Sequence, residues 1–125
     1  MSAERRGSYP KFGEIWMCRF GECGEGVQSG YRPALIESNN LNNTYSTIIN
    51  VIPITSKIKN NLPIHVAVNG EGTGLSETSV LEVEQITTIN QVKARRKIGE
   101  IADKSIFRKI KTAMCIQMPL FGERG

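Results

Sequence analysis

Short runs of apolar residues recur along most of this 125-residue chain, and their spacing predicts its secondary structure. In residues 13–20, apolar side chains occupy both sets of alternating positions, as in a strand that is covered on much of both faces. Similar runs rich in β-branched residues predict five further strands, at residues 31–38, 47–54, 64–68, 79–89 and 97–101. Strands therefore dominate the predicted fold.

One segment near the end of the chain follows helical spacing instead. Apolar residues recur every three or four positions from Ile106 to Met118, and Pro119 ends the pattern. Asp103 stands just before this segment and is a residue type that caps helix N-termini. This is the one helix that the spacing predicts, and the Asn-rich stretch 39–43 is predicted as a polar turn.

The order of these elements predicts an α+β domain with a small, barrel-like antiparallel sheet and a C-terminal helix. Glycine-rich or polar stretches at residues 21–30, 57–63 and 69–74 are the predicted loops. No internal repeat or linker divides the chain, so residues 1–125 are predicted to form a single domain.

Composition places the chain among compact folded proteins, because 39% of its residues are hydrophobic and 22% are charged. No run approaches the roughly 18 apolar residues that a membrane-spanning helix needs. The charged N-terminus lacks the apolar stretch of a secretory signal, and the three cysteines cannot all pair within the chain. We therefore expect a cytoplasmic protein with free thiols and no membrane association.

Charge is distributed unevenly along the sequence. The formal net charge is +4, yet residues 93–111 hold eight bases and only two acids. Such a segment suits a polyanion such as RNA, because cationic side chains that displace counterions from phosphates gain affinity. A solvated basic face explains the same composition equally well.

Several enzyme classes find no support in the residues. The chain has no phosphate-binding GxxxxGK[ST] motif, and its single histidine with three scattered cysteines is a poor zinc ligand set. His65 is the only imidazole available to a nucleophilic triad, and its place in an apolar strand favours a structural role.

A different constellation suits phosphodiester chemistry. Arg32 follows a glycine-rich loop, and Thr55 and Ser56 end the predicted central strand. A guanidinium can bind a phosphate and stabilise charge on its oxygens, and hydroxyl groups can donate to the same oxygens. Spacing alone does not distinguish this site from ordinary turn-forming residues.

Five sequence blocks, taken in their order along the chain, together resemble the MazF/PemK toxin family, and Arg32 and Thr55 lie in two of them. The blocks are GEIW at 13–16, GYRPALI at 30–36, VIPITSK at 51–57, LPIH at 62–65 and SVLEVEQITTI at 79–89. The resemblance extends over residues 12–118. It implies an SH3-like, CcdB/Kid-type antiparallel β-barrel with a C-terminal helix that forms a homodimer. It also implies a toxin that cleaves single-stranded RNA and is restrained by a cognate antitoxin, whose disordered tail covers the RNA groove.

The resemblance further implies a mechanism without a metal or other cofactor. The RNA 2′-OH attacks the adjacent phosphate and leaves a 2′,3′-cyclic phosphate and a 5′-OH. The family's catalytic arginine and threonine fall on Arg32 and Thr55. The residues expected to bind RNA are Gln28, Tyr31, Ser56, Lys57 and Gln85.

Two departures from the family pattern stand out. Val27 occupies the position of a glutamate that precedes the catalytic arginine in many members, and Thr87 stands where many have arginine. Two alternatives follow. One is a non-catalytic, CcdB-like toxin that binds gyrase, and the other is an inactive SH3-like module that binds RNA.

Overall fold

The computed structural model describes residues 9–21, 30–57, 65–68 and 72–117. Seven strands and two α-helices occupy these ranges. In chain order they are β1 (Glu14–Phe20), β2 (Gly30–Ile36), α1 (Asn40–Tyr45), β3 (Ile48–Thr55), β4 (His65–Val68), β5 (Ser79–Glu82), β6 (Thr87–Asn90), β7 (Ala94–Glu100) and α2 (Lys104–Gln117).

One antiparallel sheet contains all seven strands. They run in the order β4-β5-β3-β2-β1-β7, and β6 pairs with the first half of β3. At the centre, Ala34, Leu35 and Ile36 of β2 lie opposite Pro53, Ile52 and Val51 of β3. The α+β class is thus confirmed.

Apolar residues on both faces of the sheet explain why the central strands read as continuous hydrophobic runs. One face packs Ile15, Leu35 and Ile52 against Ile106 and Ile110 of α2. The opposite face carries a second cluster that includes Trp16, Cys18, Ala34 and Val51. Strands β1, β2 and β3 contribute buried residues to both clusters, as their side-chain alternation requires.

The C-terminal helix begins where the sequence predicts. Oδ1 of Asp103 accepts hydrogen bonds from the backbone N–H of Ser105, at 2.9 Å, and from its hydroxyl, at 2.7 Å. These bonds satisfy N-terminal donors that have no partner within the helix. Ile106, Ile110 and Ala113 then follow helical spacing and are buried.

The Asn-rich segment is a short helix, α1, so the prediction of a turn there is wrong. Oδ1 of Asn39 caps it by accepting the N–H of Asn42 at 2.8 Å. Asn43 is fully buried, and its amide donates to the carbonyl of Ser38 at 2.9 Å. Asparagine suits turns and helix caps alike, which is why composition suggested only the turn.

Two further predictions need correction. The run 79–89 is not one strand, because a 3₁₀ helix at Val83–Gln85 separates β5 from β6. This break lets β3 pair with β5 near its end and with β6 near its beginning. The sheet also remains open: in the described ranges the outer strands β4 and β7 do not pair to close a barrel.

A buried acid lies at the end of β2. The Glu37 carboxyl is largely removed from water, and its Oε1 atom has no hydrogen-bond partner among the residues that the structure describes. Burial raises the pKa of Glu37 from an ordinary 4.5 to about 7. Between these two values the folded protein holds this proton more tightly than the unfolded chain, so rising pH removes stability.

We therefore expect Glu37→Gln to stabilise the protein above pH 7, because a neutral amide replaces a carboxylate that ionises in a poorly solvated position. The gain in unfolding free energy should be about 2 kcal/mol at pH 8 and close to zero below pH 4. Urea denaturation of both proteins at several pH values measures it. A constant difference across this range would contradict the assignment.

Candidate functional site

A cleft of about 200 Å³ lies where β2 begins and β3 ends. The antiparallel pairing of these strands brings the two segments together, because one strand begins beside the end of the other. Residues that line the cleft are Tyr31, Arg32, Pro33, Ile54, Thr55, Ser56, Lys57, Leu75, Ser76, Glu77 and Ser79. Five residues predicted for the site are among them.

Strand register explains why Arg32 and Thr55 meet here. Ala34 lies opposite Pro53, and the same antiparallel register extended by two residues aligns Arg32 with Thr55. On its other edge, β2 places Arg32 opposite the buried Cys18 of β1. The guanidinium-bearing residue is thereby fixed to a strand paired on both sides rather than to a loop.

Thr55 is nearly buried, with an exposed fraction of 9%. Its Oγ1 atom accepts the backbone N–H of Lys57 at 3.1 Å. Because that bond uses the oxygen as an acceptor, the hydroxyl hydrogen is still available to donate. The chain therefore presents a positioned hydroxyl donor in a cleft that also contains a permanent cation.

Exposed side chains surround this pair. Ser56 and Lys57 are exposed beside Thr55, and Tyr31 is 43% exposed beside Arg32. The guanidinium carbon of Arg19 lies 5.4 Å from the centre of the Tyr31 ring. This rim combines cationic and aromatic groups, as surfaces that bind single-stranded nucleic acid do.

Of the predicted RNA-binding residues, one does not line the cleft and another is not among the described residues. Gln85 lies in the 3₁₀ helix at Val83–Gln85 and does not line it. Gln28 falls outside the described residues, as does Val27. Gln85 and Tyr31 were both predicted to bind RNA, but the break in the run 79–89 separates Gln85 from the end of β3.

One wall of the cleft was missed from the sequence. It comes from the segment before β5 and contributes Leu75, Ser76 and Glu77. Glu77 is the only carboxylate among the described lining residues. The available signal was the glycine pattern at 69–74, which indicated a turn but not the strand against which it packs.

That wall is anchored to β7 by close backbone contacts. The carbonyl of Gly72 accepts the N–H of Glu100 at 2.8 Å. Gly74 has a φ of +77°, and a Cβ atom there would collide with the backbone carbonyl of Ile98. Gly99 is equally confined, since a Cβ would meet the backbone of Thr73. Glycine is thus required where the wall joins the sheet.

His65 is engaged elsewhere. Its Nε2 atom lies 3.1 Å from Oε2 of Glu84, and the two side chains are 12% and 26% exposed. Ligand atoms of His65, Glu82 and Glu84 lie within 4.8 Å of one another, so these three could hold a metal ion. None of them lines the cleft that contains Arg32.

A larger groove of about 520 Å³ separates β4 from α2. Its lining includes His65 together with Arg108, Lys109 and Thr112 of the helix. None of the residues that the sequence predicts for phosphodiester chemistry lies there. The smaller cleft is therefore the candidate site.

No helix in the described residues is long and apolar enough to cross a membrane.

The fold and the cleft define a small antiparallel β protein with an arginine and a threonine at the meeting of two central strands. Residues 11–118 match the model of the PemK-like, MazF-like toxins of type II toxin–antitoxin systems. The chain belongs to this family, and the resemblance inferred from its five sequence blocks is confirmed.

Named relatives agree with the family match. Endoribonuclease EndoA of Bacillus subtilis is 31% identical over 111 residues, which cover 88% of this chain and 95% of the relative. Endoribonuclease MazF of Staphylococcus saprophyticus is 28% identical over 109 residues, covering 86% and 90% of the two chains.

Solved structures show the same fold. MazF from Deinococcus radiodurans superposes with a TM-score of 0.76 at 18% identity, covering 90% of this chain and 98% of that one. A mycobacterial endoribonuclease in complex with its cognate antitoxin superposes with a TM-score of 0.72 at 24% identity, covering 89% and 96%. The chain thus shares the fold of these MazF and endoribonuclease structures.

We expect Gly74→Ala to destabilise the protein more than Gly72→Ala. Both glycines have positive φ, but a Cβ at Gly72 would enter open space. The strained backbone alone should cost Gly72→Ala about 1–2 kcal/mol, and the added collision should bring Gly74→Ala to about 2–5 kcal/mol. Thermal unfolding of the two variants checks this. Equal losses of stability would contradict the prediction, because the backbone around Gly74 would then shift to accommodate the added Cβ.

Proposed function

We propose that this chain is an endoribonuclease toxin that cleaves single-stranded RNA, with Arg32 and Thr55 as its catalytic residues. The observation that carries the proposal is their meeting in one cleft, where Thr55 keeps a hydroxyl hydrogen to donate. The family match and the endoribonuclease activity named for its relatives support the same conclusion.

In the proposed reaction, the 2′-oxygen of one nucleotide forms a bond to the adjacent phosphorus, and the bond from phosphorus to the 5′-oxygen breaks. The 2′-hydroxyl loses its proton, and the departing 5′-oxygen gains one. The products are a 2′,3′-cyclic phosphate and a 5′-hydroxyl. Because the nucleophile is the 2′-oxygen of the RNA itself, this step consumes no water.

Charge accumulates on the non-bridging oxygens as the phosphorus becomes five-coordinate. In this scheme Arg32 binds these oxygens and protonates the departing 5′-oxygen, while the Thr55 hydroxyl donates a hydrogen bond to the non-bridging oxygens. Donors fixed in place before the reaction stabilise such charge most effectively. Pairing of Arg32 with Cys18 of β1, and of β2 with β3 two residues further along, supplies that rigidity.

The surrounding residues suit an RNA strand. We assign Tyr31, Ser56 and Lys57 to RNA binding, because all three are exposed at the rim of the cleft. Gln28 and Gln85 are proposed on the family resemblance alone. The reaction needs no metal ion or other cofactor in this scheme, since the chain's own side chains provide the positive charge and the hydrogen-bond donors.

The biological setting follows from the family. We propose that the whole chain acts as one toxin unit in the cytoplasm, that it forms a homodimer and that a cognate antitoxin restrains it. MazF from Deinococcus radiodurans has been solved with MazE, and the mycobacterial endoribonuclease with its antitoxin.

Removing either catalytic group should abolish most of the cleavage. We expect Arg32→Gln and Thr55→Val each to lower the cleavage rate of a long single-stranded RNA by about 100-fold or more, as loss of one donor to a developing oxyanion does elsewhere. Arg108→Gln and Thr112→Val are matched controls, because both residues are exposed on α2 and outside the cleft.

The assay is run in EDTA, and the new RNA ends are mapped and tested for their chemistry. Cuts at a recurring short sequence with 5′-hydroxyl ends support the proposal. Intact RNA from folded, antitoxin-free protein would contradict it and favour a gyrase-binding toxin or an inactive RNA-binding module. Full activity in Arg32→Gln or Thr55→Val would remove that residue from the mechanism.

A further inference from the structure

Next to the cleft, strands β2, β1 and β7 present a basic and aromatic surface that the catalytic scheme does not use. We call it the Arg19 surface and define it by Arg19, Tyr31 and Arg96. All three side chains are exposed, and each belongs to a strand rather than to a loop. Of the three, only Tyr31 was expected to bind RNA from the sequence.

Strand register places these side chains on one face of the sheet. Arg19 lies directly opposite Tyr31. Arg96 lies opposite Met17, which is two residues from Arg19 and therefore points to the same side. Paired and diagonal neighbours across antiparallel strands are close enough for their long side chains to interact. The three residues thus form one continuous surface.

Contact between Arg19 and Tyr31 already organises part of this surface. The guanidinium carbon lies 5.4 Å from the ring centre, within the range of a cation–π interaction. The pair therefore offers an aromatic ring and a nearby positive charge in a fixed relation. A nucleotide has matching parts, because its base stacks on aromatic rings and its phosphate attracts arginine.

Among the described residues, no acidic side chain pairs with the two arginines of this surface. Lys97 of the same strand β7 is held by Glu14 and Glu100, both at 3.2 Å. Arg19 and Arg96, by contrast, form no ion pair with any residue that the structure describes. Two unpaired guanidinium groups on adjacent strands create a local positive potential that suits a polyanion.

The Arg19 surface is continuous with the cleft. Tyr31 and Pro33 line the cleft, and across β1 they lie opposite Arg19 and Met17. Tyr31 and Arg32 are successive strand residues, so their side chains leave β2 on opposite faces. An RNA strand that crosses the start of β2 would therefore meet Arg32 on one side and the Arg19 surface on the other.

We propose that the Arg19 surface is an RNA subsite that binds a nucleotide next to the scissile phosphate. Tyr31 stacks on its base, and Arg19 and Arg96 bind backbone phosphates. The assignment deepens the proposed function and rests on it for the position of the scissile phosphate. The exposed tyrosine ring and the continuity with the cleft favour single-stranded RNA over an acidic protein segment.

The test compares the parent with the Arg19→Gln, Arg96→Gln double variant on a long single-stranded RNA and on the shortest oligonucleotide that is cleaved. We expect KM for the long RNA to rise about tenfold or more while kcat changes less than twofold. KM for the short oligonucleotide should change little. Each lost phosphate contact should also reduce the slope of log affinity against log salt by about 0.7.

A second experiment tests whether the Tyr31 ring stacks on an RNA base. Tyr31→Phe should bind RNA like the parent, and Tyr31→Ala should lose about tenfold or more, since each base–aromatic stack contributes about 1–3 kcal/mol. Binding is measured by fluorescence anisotropy in protein that carries Arg32→Gln, so that the RNA stays intact. The Arg108→Gln, Lys109→Gln double variant is the charge-matched control for the Arg19→Gln, Arg96→Gln protein, because both residues are exposed on α2 and lie outside both surfaces.

The outcomes separate this proposal from the proposed function. Parent-like RNA affinity and salt slope in the double variant overturn the subsite, even where the parent cleaves and Arg32→Gln does not. An equal loss of RNA affinity in the Arg108→Gln, Lys109→Gln control also overturns the subsite, because the lower net charge then explains the effect. Weaker antitoxin binding by the Arg19→Gln, Arg96→Gln protein with unchanged RNA binding overturns it as well, because the surface then binds the antitoxin. If the parent cleaves no RNA, the proposed function fails, and the anisotropy measurements alone decide whether the surface binds RNA.

Discussion

Pairing between β2 and β3 is the constraint on which the rest of the molecule depends. Three consecutive residue pairs at the centre of this ladder are completely or almost completely buried, and they connect the two apolar cores. The same register determines which residues meet where β2 begins and β3 ends. A slip of one residue would turn every side chain of a strand to the other face and would dismantle the cleft together with both cores.

Much of this arrangement was predictable from local sequence. The apolar runs identified the central strands, and Asp103 with the apolar spacing after it identified α2, because capping and periodicity are local properties. Arg32 and Thr55 were identifiable because each belongs to a recognisable block, and the ladder then brought the blocks together.

What escaped prediction depends on contacts between distant residues. Composition does not reveal the break between β5 and β6, because the run 79–89 is rich in strand-forming residues throughout. The 3₁₀ helix at this break lets β3 pair with both strands, which is a contact between distant residues. The wall formed by Leu75, Ser76 and Glu77 depends on backbone packing of Gly74 and Gly99 across β7. Helix α1 forms because Asn43 fits a buried position among polar partners, which residue type alone does not reveal.

Strand β7 has a second consequence that concerns the solubility of the protein. It is the last strand of the described open sheet, and Gly72 covers its outer edge at Glu100, whereas the part at residues 95–97 offers backbone groups that could pair with another chain. Three consecutive exposed bases, Arg95, Arg96 and Lys97, occupy this strand. Like charges repel a second copy that approaches along the same edge, so this basic run protects the monomeric sheet from edge-to-edge aggregation.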